Sequence, residues 1–342
     1  MLKRILSLIL SMVLVAGSLG ACGNTAQPAT TTTEAVPTTE AVQNDDGVLK
    51  VLTLGHSLAL NATYMLALVA KAEGYENLEV GTLYYSGCPL YKHVQYLQTD
   101  AREYDLYTSS TADVSAPPAK MEDVTMREAI RYTDWDIIVM QGGTFELAAK
   151  ETFINGNIQT IQNYVNEHKL NPNAIFVWHL PWAFSTDPDL QNSYKGSGNN
   201  PYTAGYAPYD NDRTKLFDAF LENAKNFILT DETFQYLIPT GTAVENAMTS
   251  YLTEKDLLRD YAHAGDLGMY IAAYTWFCKM TGVEKLEELK LTAIPMAFFR
   301  TSTGLVDREL TEAEKLVVLE SVNNALANPM EVTQSQYTQA PA

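Results

Sequence analysis

Ser57 and the pair Asp260 and His263 are the residues whose types and spacing could do covalent chemistry. Ser57 ends the tripeptide Gly55-His56-Ser57, at the exit of the apolar run 48–54. Asp260-Tyr261-Ala262-His263 stands just ahead of an apolar stretch of helical composition. Serine, imidazole and carboxylate can act as nucleophile, general base and the group that orients the base. A three-residue spacing in a turn lets the carboxylate reach one ring nitrogen and leaves the other facing outward. Each fragment also has a plainer use. Serine is a good helix N-cap, and Asp260 could cap a helix entry with His263 on the surface. The chemistry therefore depends on the elements that carry the two fragments.

Those elements alternate. Apolar runs at 48–54, 78–85, 135–140, 174–178 and 235–238 read as strands. Between and after them, 58–73, 126–132, 158–168, 213–228, 265–280 and 310–327 read as helices. Repeated β-α alternation predicts a mostly parallel sheet covered by helices on both faces, in a doubly wound order. In such a sheet the site lies at the carboxyl ends of the strands. Ser57, Gly87, Gln141 and His179 each follow a strand, so all four belong to one rim. The helix after Ser57 begins with unsatisfied backbone N–H groups, which favour a developing oxyanion. Two segments, 91–124 and 180–211, break the alternation, and insertions of this kind usually flank a site.

Several short runs occur together and in order. They are Gly55-His56-Ser57, Ser86-Gly87-Cys88-Pro89-Leu90 with His93, Trp135-Asp136 leading to Gln141, and Arg259-Asp260-x-x-His263 followed by Gly268-x-Tyr270. Their order resembles the sequence blocks of the SGNH (GDSL-like) hydrolases, and more closely a bacterial subfamily of unknown function, DUF4886. The resemblance spans roughly 49–282. It implies a flavodoxin-like three-layer α/β/α sandwich. It also implies Ser57 as nucleophile, His263 as base and then acid, and Asp260 as its partner, with an oxyanion hole from the backbone N–H groups of Ser57 and Gly87. The family's third block offers an asparagine. Here Gln141-Gly142-Gly143 stands in its place: either Gln141 supplies the amide from a longer side chain, or the hole runs on two donors. His56 replaces the usual acidic or amide residue before the serine. His56, His93, His179 and Trp182 are expected around the pocket. For His93 and His179 a satisfied core or surface role is an equal alternative.

The ends read differently. Lys3 and Arg4 precede an apolar stretch, and Leu19-Gly20-Ala21-Cys22 resembles a bacterial lipobox. Residues 1–21 are expected to be a lipoprotein signal and Cys22 the lipidated residue, anchoring the protein to the outer face of a bacterial cell membrane. Residues 22–46, rich in Thr, Ala, Glu and Pro, read as a disordered tether. Residues 47–328 read as the hydrolase-like domain, and 329–342 as an unstructured tail. The net charge of −18 argues against nucleic-acid partners. It does not repel a neutral ester such as an acylated glycan. No three or four converging ligands suggest a metal, and no phosphate-cradling glycine loop suggests a nucleotide, so no cofactor is expected. Of three cysteines, Cys88 and Cys278 are expected as free, buried thiols.

Overall fold

The computed structural model describes residues 46–191, 206–296 and 307–340. The signal segment, Cys22 and nearly all of the tether lie outside the described residues.

Strand β1 (Leu49–Gly55) is buried along its whole length, as an apolar strand covered on both faces must be. It pairs in parallel with β2 (Leu78–Tyr84) on one side. On the other side it meets a strand at Ile137–Met140. The hairpin strands β3 (Tyr104–Ser110) and β4 (Ala119–Val124) precede that strand in the chain, which is therefore β5. Strands β6 (Ile175–His179) and β7 (Phe234–Ile238) continue the parallel set. The sheet has seven strands in the order β4-β3-β2-β1-β5-β6-β7. Its parallel members follow the flavodoxin-like order, with an antiparallel hairpin added at the β2 edge. The expected α/β/α architecture is the one the chain adopts. The order reverses between β1 and β5, and ligands bind outside that crevice in folds of this kind. Ser57 and the Gln141–Gly143 loop lie at its two lips.

Three readings of the sequence change. First, part of the 91–124 segment forms the β3–β4 hairpin. Only Tyr104, Leu106 and Val124 of its two strands are fully buried, so little apolar pattern marks it.

Second, the expected helix 58–73 is two helices, α1 (Ser57–Thr63) and α2 (Leu66–Ala72). The Thr63 hydroxyl donates to the Ala59 carbonyl at 3.0 Å and meets Thr82 Oγ1 at 2.7 Å. A threonine that takes a carbonyl from its own helix bends or ends it.

Third, the expected unstructured tail is packed over residues 329–340. Thr333 N–H donates to Asn246 Oδ1 at 2.7 Å, Ser335 N–H to Thr249 Oγ1 at 2.8 Å, and Tyr251 N–H to the Tyr337 carbonyl at 2.9 Å. The partners come from helix Thr240–Met248 and the residues after it, roughly 90 positions away in sequence, so no local pattern announces them. Each such bond contributes about 1 kcal/mol net. Deleting the chain after Asn328 is therefore expected to lower the melting temperature by ~5–10 °C, read by thermal unfolding. An unchanged midpoint would show the contacts to be idle.

Cys88 and Cys278 are both free and buried, as expected.

Candidate active site

His56 is the N-cap of α1, and its ring fixes the turn that presents Ser57. Nδ1 accepts the Leu58 N–H at 3.4 Å, so the proton sits on Nε2, which donates to the Gly142 carbonyl at 3.2 Å. Burial, with His263 nearby as a lesser influence, lowers its pKa to about 4, so the ring is neutral at ordinary pH. His56 thus holds Ser57 against the Gln141–Gly143 loop and is not a base.

The His263 loop is equally well defined. Asp260 Oδ1 accepts the backbone N–H groups of Ala262 and His263 at 2.9 and 2.8 Å. The same carboxylate lies 2.9 Å from His263 Nδ1 through both oxygens. Burial opposes ionisation of Asp260, but the His263 ring and the two N–H donors outweigh it and hold the carboxyl at about 2. With Nδ1 engaged, Nε2 is left to accept a proton. The loop is tied to the nucleophile's helix, because Ala264 N–H donates to Asn61 Oδ1 at 3.2 Å. Asn61 stands one turn after Ser57 on α1, on the same face. Trp182 supports the loop from beneath, its indole N–H donating to the Ala262 carbonyl at 2.8 Å.

Ser57, Gly87 and His263 line one cavity of about 200 Å³. Two larger cavities, about 1020 and 380 Å³, are lined by no histidine among the described residues. No protein group among the described residues binds the Ser57 hydroxyl. Such bonds often form only when substrate arrives. The first-turn N–H of Ser57 has no partner within its helix. Gly87 has φ of +60° and its backbone N–H has no acceptor among the described residues. A Cβ at Gly87 would meet nothing within 4 Å, so Gly87→Ala meets only the backbone penalty of ~1–2 kcal/mol. Its expected result is ester turnover lowered ~10-fold or more by displaced geometry, with the melting temperature lowered by only ~2–6 °C. Unaltered turnover would remove Gly87 from the oxyanion site.

The other expected pocket residues fall elsewhere. Gln141 is fully buried and absent from the cavity wall. Its Oε1 faces the His56 N–H at 3.5 Å, in space that Gly55 leaves open; a Cβ on Gly55 would stand 2.8 Å from that oxygen. The expected third oxyanion donor is thus behind the wall. His93 stacks on Tyr104, with Nδ1 2.8 Å from its hydroxyl. His179 packs edge-on against Trp276, with ring centroids 4.9 Å apart. Burial depresses the pKa of both. His93, His179 and Trp182 are core residues, and of the four extra residues only His56 reaches the cavity.

The wall instead holds Phe145, Phe184, Tyr261 and Glu146. Phe184 packs edge-to-face with Phe145 and Tyr261, with centroids 5.2 and 5.5 Å apart. Phe184 and Tyr261 flank expected features, but nothing in the sequence marks Phe145. The Glu146 carboxylate accepts Gly143 N–H at 2.9 Å and Leu90 N–H at 2.9 and 3.2 Å. Burial raises its pKa, against these donors.

None of the curated proteins matches the chain. A crystal structure of a DUF4886 family protein from Bacteroides uniformis is similar at 23% identity, over 84% of this chain and 98% of that one, with a TM-score of 0.66. A catalytic mutant of an acetylxylan esterase from Geobacillus stearothermophilus is similar at 13% identity, over 68% and 94%, with a TM-score of 0.39. An α/β hydrolase enzyme from the metagenome of Lake Arreo, Spain, aligns at 11% identity over 72% and 98%, with a TM-score of 0.41. The family model of DUF4886, a domain of unknown function, matches residues 50–291, a span that contains every residue of the site just described, and the chain belongs to that family.

Proposed function

We propose that this protein is a serine esterase of SGNH type that removes small acyl groups, acetyl foremost, from carbohydrate. The observation that carries the reading is that His263, held by Asp260, faces the same cavity as Ser57, at the crevice between β1 and β5. Ser57 Oγ attacks the acyl carbon while His263 Nε2 takes its proton. The oxyanion meets the backbone N–H groups of Ser57 and Gly87. The alcohol leaves with the proton from His263, and water repeats the sequence on the acyl-enzyme. A cavity of about 200 Å³ is below the ~300–1,000 Å³ of sites for drug-sized ligands, which suits a short acyl chain. The aromatic wall of Phe145, Phe184 and Tyr261 suits a sugar ring on the alcohol side. The lipobox-like run ending at Cys22 supports action at the cell surface, where such glycans are met.

The test is acetate release from acetylated oligosaccharides by the full-length protein, beside nitrophenyl esters of rising chain length. Acetate esters are expected to be cleaved at least ~10-fold faster than octanoate esters. Failure to cleave any ester would overturn the reading. One observation favours a binding protein on the same fold: the Gln141 amide lies behind the wall, leaving only two backbone donors. Binding of an acetylated glycan that survives Ser57→Ala, without turnover, would establish that alternative.

A further inference from the structure

We infer that Glu146 is a positioning residue that sets the two backbone oxyanion donors against each other, through the loop where an amide side chain was expected. This rests on the esterase reading. The Gln141–Gly143 loop touches both sides of the site. On the Ser57 side, the Gly142 carbonyl accepts His56 Nε2–H at 3.2 Å and Gln141 Oε1 faces the His56 N–H. On the Gly87 side, Glu146 joins two helix starts. It accepts the Gly143 N–H, the half of a capping box that a glycine N-cap permits, before α5, which is Thr144–Ala148 when the helices Leu90–Thr99 and Met126–Ile130 are counted as α3 and α4. It also accepts the N–H of Leu90, the first residue of α3 and three residues after Gly87.

The geometry is economical in donors and acceptors. A capping-box glutamate ordinarily serves only its own helix. Here one carboxylate oxygen accepts both Gly143 N–H and Leu90 N–H at 2.9 Å, and the other adds a contact to Leu90 at 3.2 Å. Pro89 carries no N–H, so Leu90 offers the first available donor of α3. The span from Ser57 to Gly87 therefore runs through His56, Gly142, Gly143 and Glu146, all polar contacts among buried or half-buried groups. Charge-assisted bonds of this kind are about twice as strong as neutral ones. They add to the Cys88 N–H bond to the Tyr85 carbonyl at 3.2 Å, which closes the turn around Gly87. With Gln141 behind the wall, the loop contributes by fixing where the backbone donors stand.

The experiment compares full-length wild type, Glu146→Ala and Glu146→Gln by hydrogen exchange and by ester kinetics. Glu146→Ala is expected to speed exchange in segments 86–90 and 141–143 together by ~10-fold or more. It is expected to lower kcat by about 10²-fold with KM changed less than about threefold. Glu146→Gln keeps one oxygen able to accept both N–H groups and is expected to recover most of kcat. Unchanged exchange in either segment, or unchanged kcat in Glu146→Ala, would overturn the assignment. So would a loss of kcat that follows global unfolding and is not restored by glutamine. A wild type without turnover but with the exchange effect in Glu146→Ala would refute the esterase reading and reduce Glu146 to a structural link.

Discussion

Ser57→Ala lowers ester turnover by about 10⁵-fold or more while leaving the fold intact. Losses of this size follow removal of a nucleophile from a working triad, because the base and its partner have nothing left to activate. Alanine suits the position. Ser57 is the first residue of α1, but the cap is supplied by His56, so the helix start does not depend on the serine hydroxyl. The hydroxyl has no partner among the described residues, so its removal orphans no buried group. The melting temperature is expected to stay within about 2 °C of wild type, since substitutions outside such features cost under ~0.5 kcal/mol. Turnover on nitrophenyl acetate, measured with matched circular dichroism, checks both halves. Retention of even a tenth of wild-type turnover would show that another residue carries the acyl group.

Asp260→Asn is the second large effect, expected at ~10⁴-fold in kcat. The carboxylate has two duties. It receives the Nδ1–H of His263, leaving Nε2 as the acceptor, and it gathers the Ala262 and His263 N–H groups into the loop. Asparagine can serve the backbone donors with its oxygen, so the loop survives. Its amide would present a donor to Nδ1 and favour the tautomer that cannot take the Ser57 proton. Structure and catalysis separate in this variant: a small change in melting temperature and a large one in kcat. The pH behaviour has a definite sign. Asp260 is held at about 2, below its ordinary 3.8, despite burial and because of its three donors. Its contribution to stability is fully present above pH ~4 and is lost as pH falls through about 2. An acid limb of activity at milder pH therefore does not come from Asp260. A pH–rate profile of kcat/KM with an acid limb at pH 4 or above that disappears in Asp260→Asn would contradict this assignment.

The parts of the site that were legible are those carried by local pattern. β1 is a continuous apolar run, so its exit and the following serine could be placed. Asp260 and His263 lie three apart before an apolar helix, and their hydrogen bonds arise within that short turn. Gly87 follows a strand and a small-residue turn, the setting in which a positive φ is expected. The illegible parts depend on contacts across the chain. Glu146 reads locally as an ordinary capping residue, and only the fold brings Leu90 to it. Asn61 looks like any helix residue until the Ala264 N–H arrives from 203 positions away. Gln141 lies behind the wall for a related reason. Strand-exit position puts a residue on the rim, but does not say which way its side chain turns. The absent side chain of Gly55 draws it inward. The tail at 329–340 is held by polar contacts and by Met330, Val332 and Tyr337 packed on the core, and the β3–β4 hairpin by edge pairing, with little hydrophobic periodicity to read in either.

The most direct test of the account is reaction of the full-length protein with a fluorophosphonate, followed by peptide mapping. This reagent needs an activated serine and an oxyanion site but no particular alcohol, so it tests the machinery apart from the identity of the substrate. One adduct per chain is predicted, on Ser57, formed much more slowly in His263→Ala. No adduct, or an adduct on another residue that forms equally fast without His263, would contradict the central claim that Ser57, His263 and Asp260 form an acyl-transfer site.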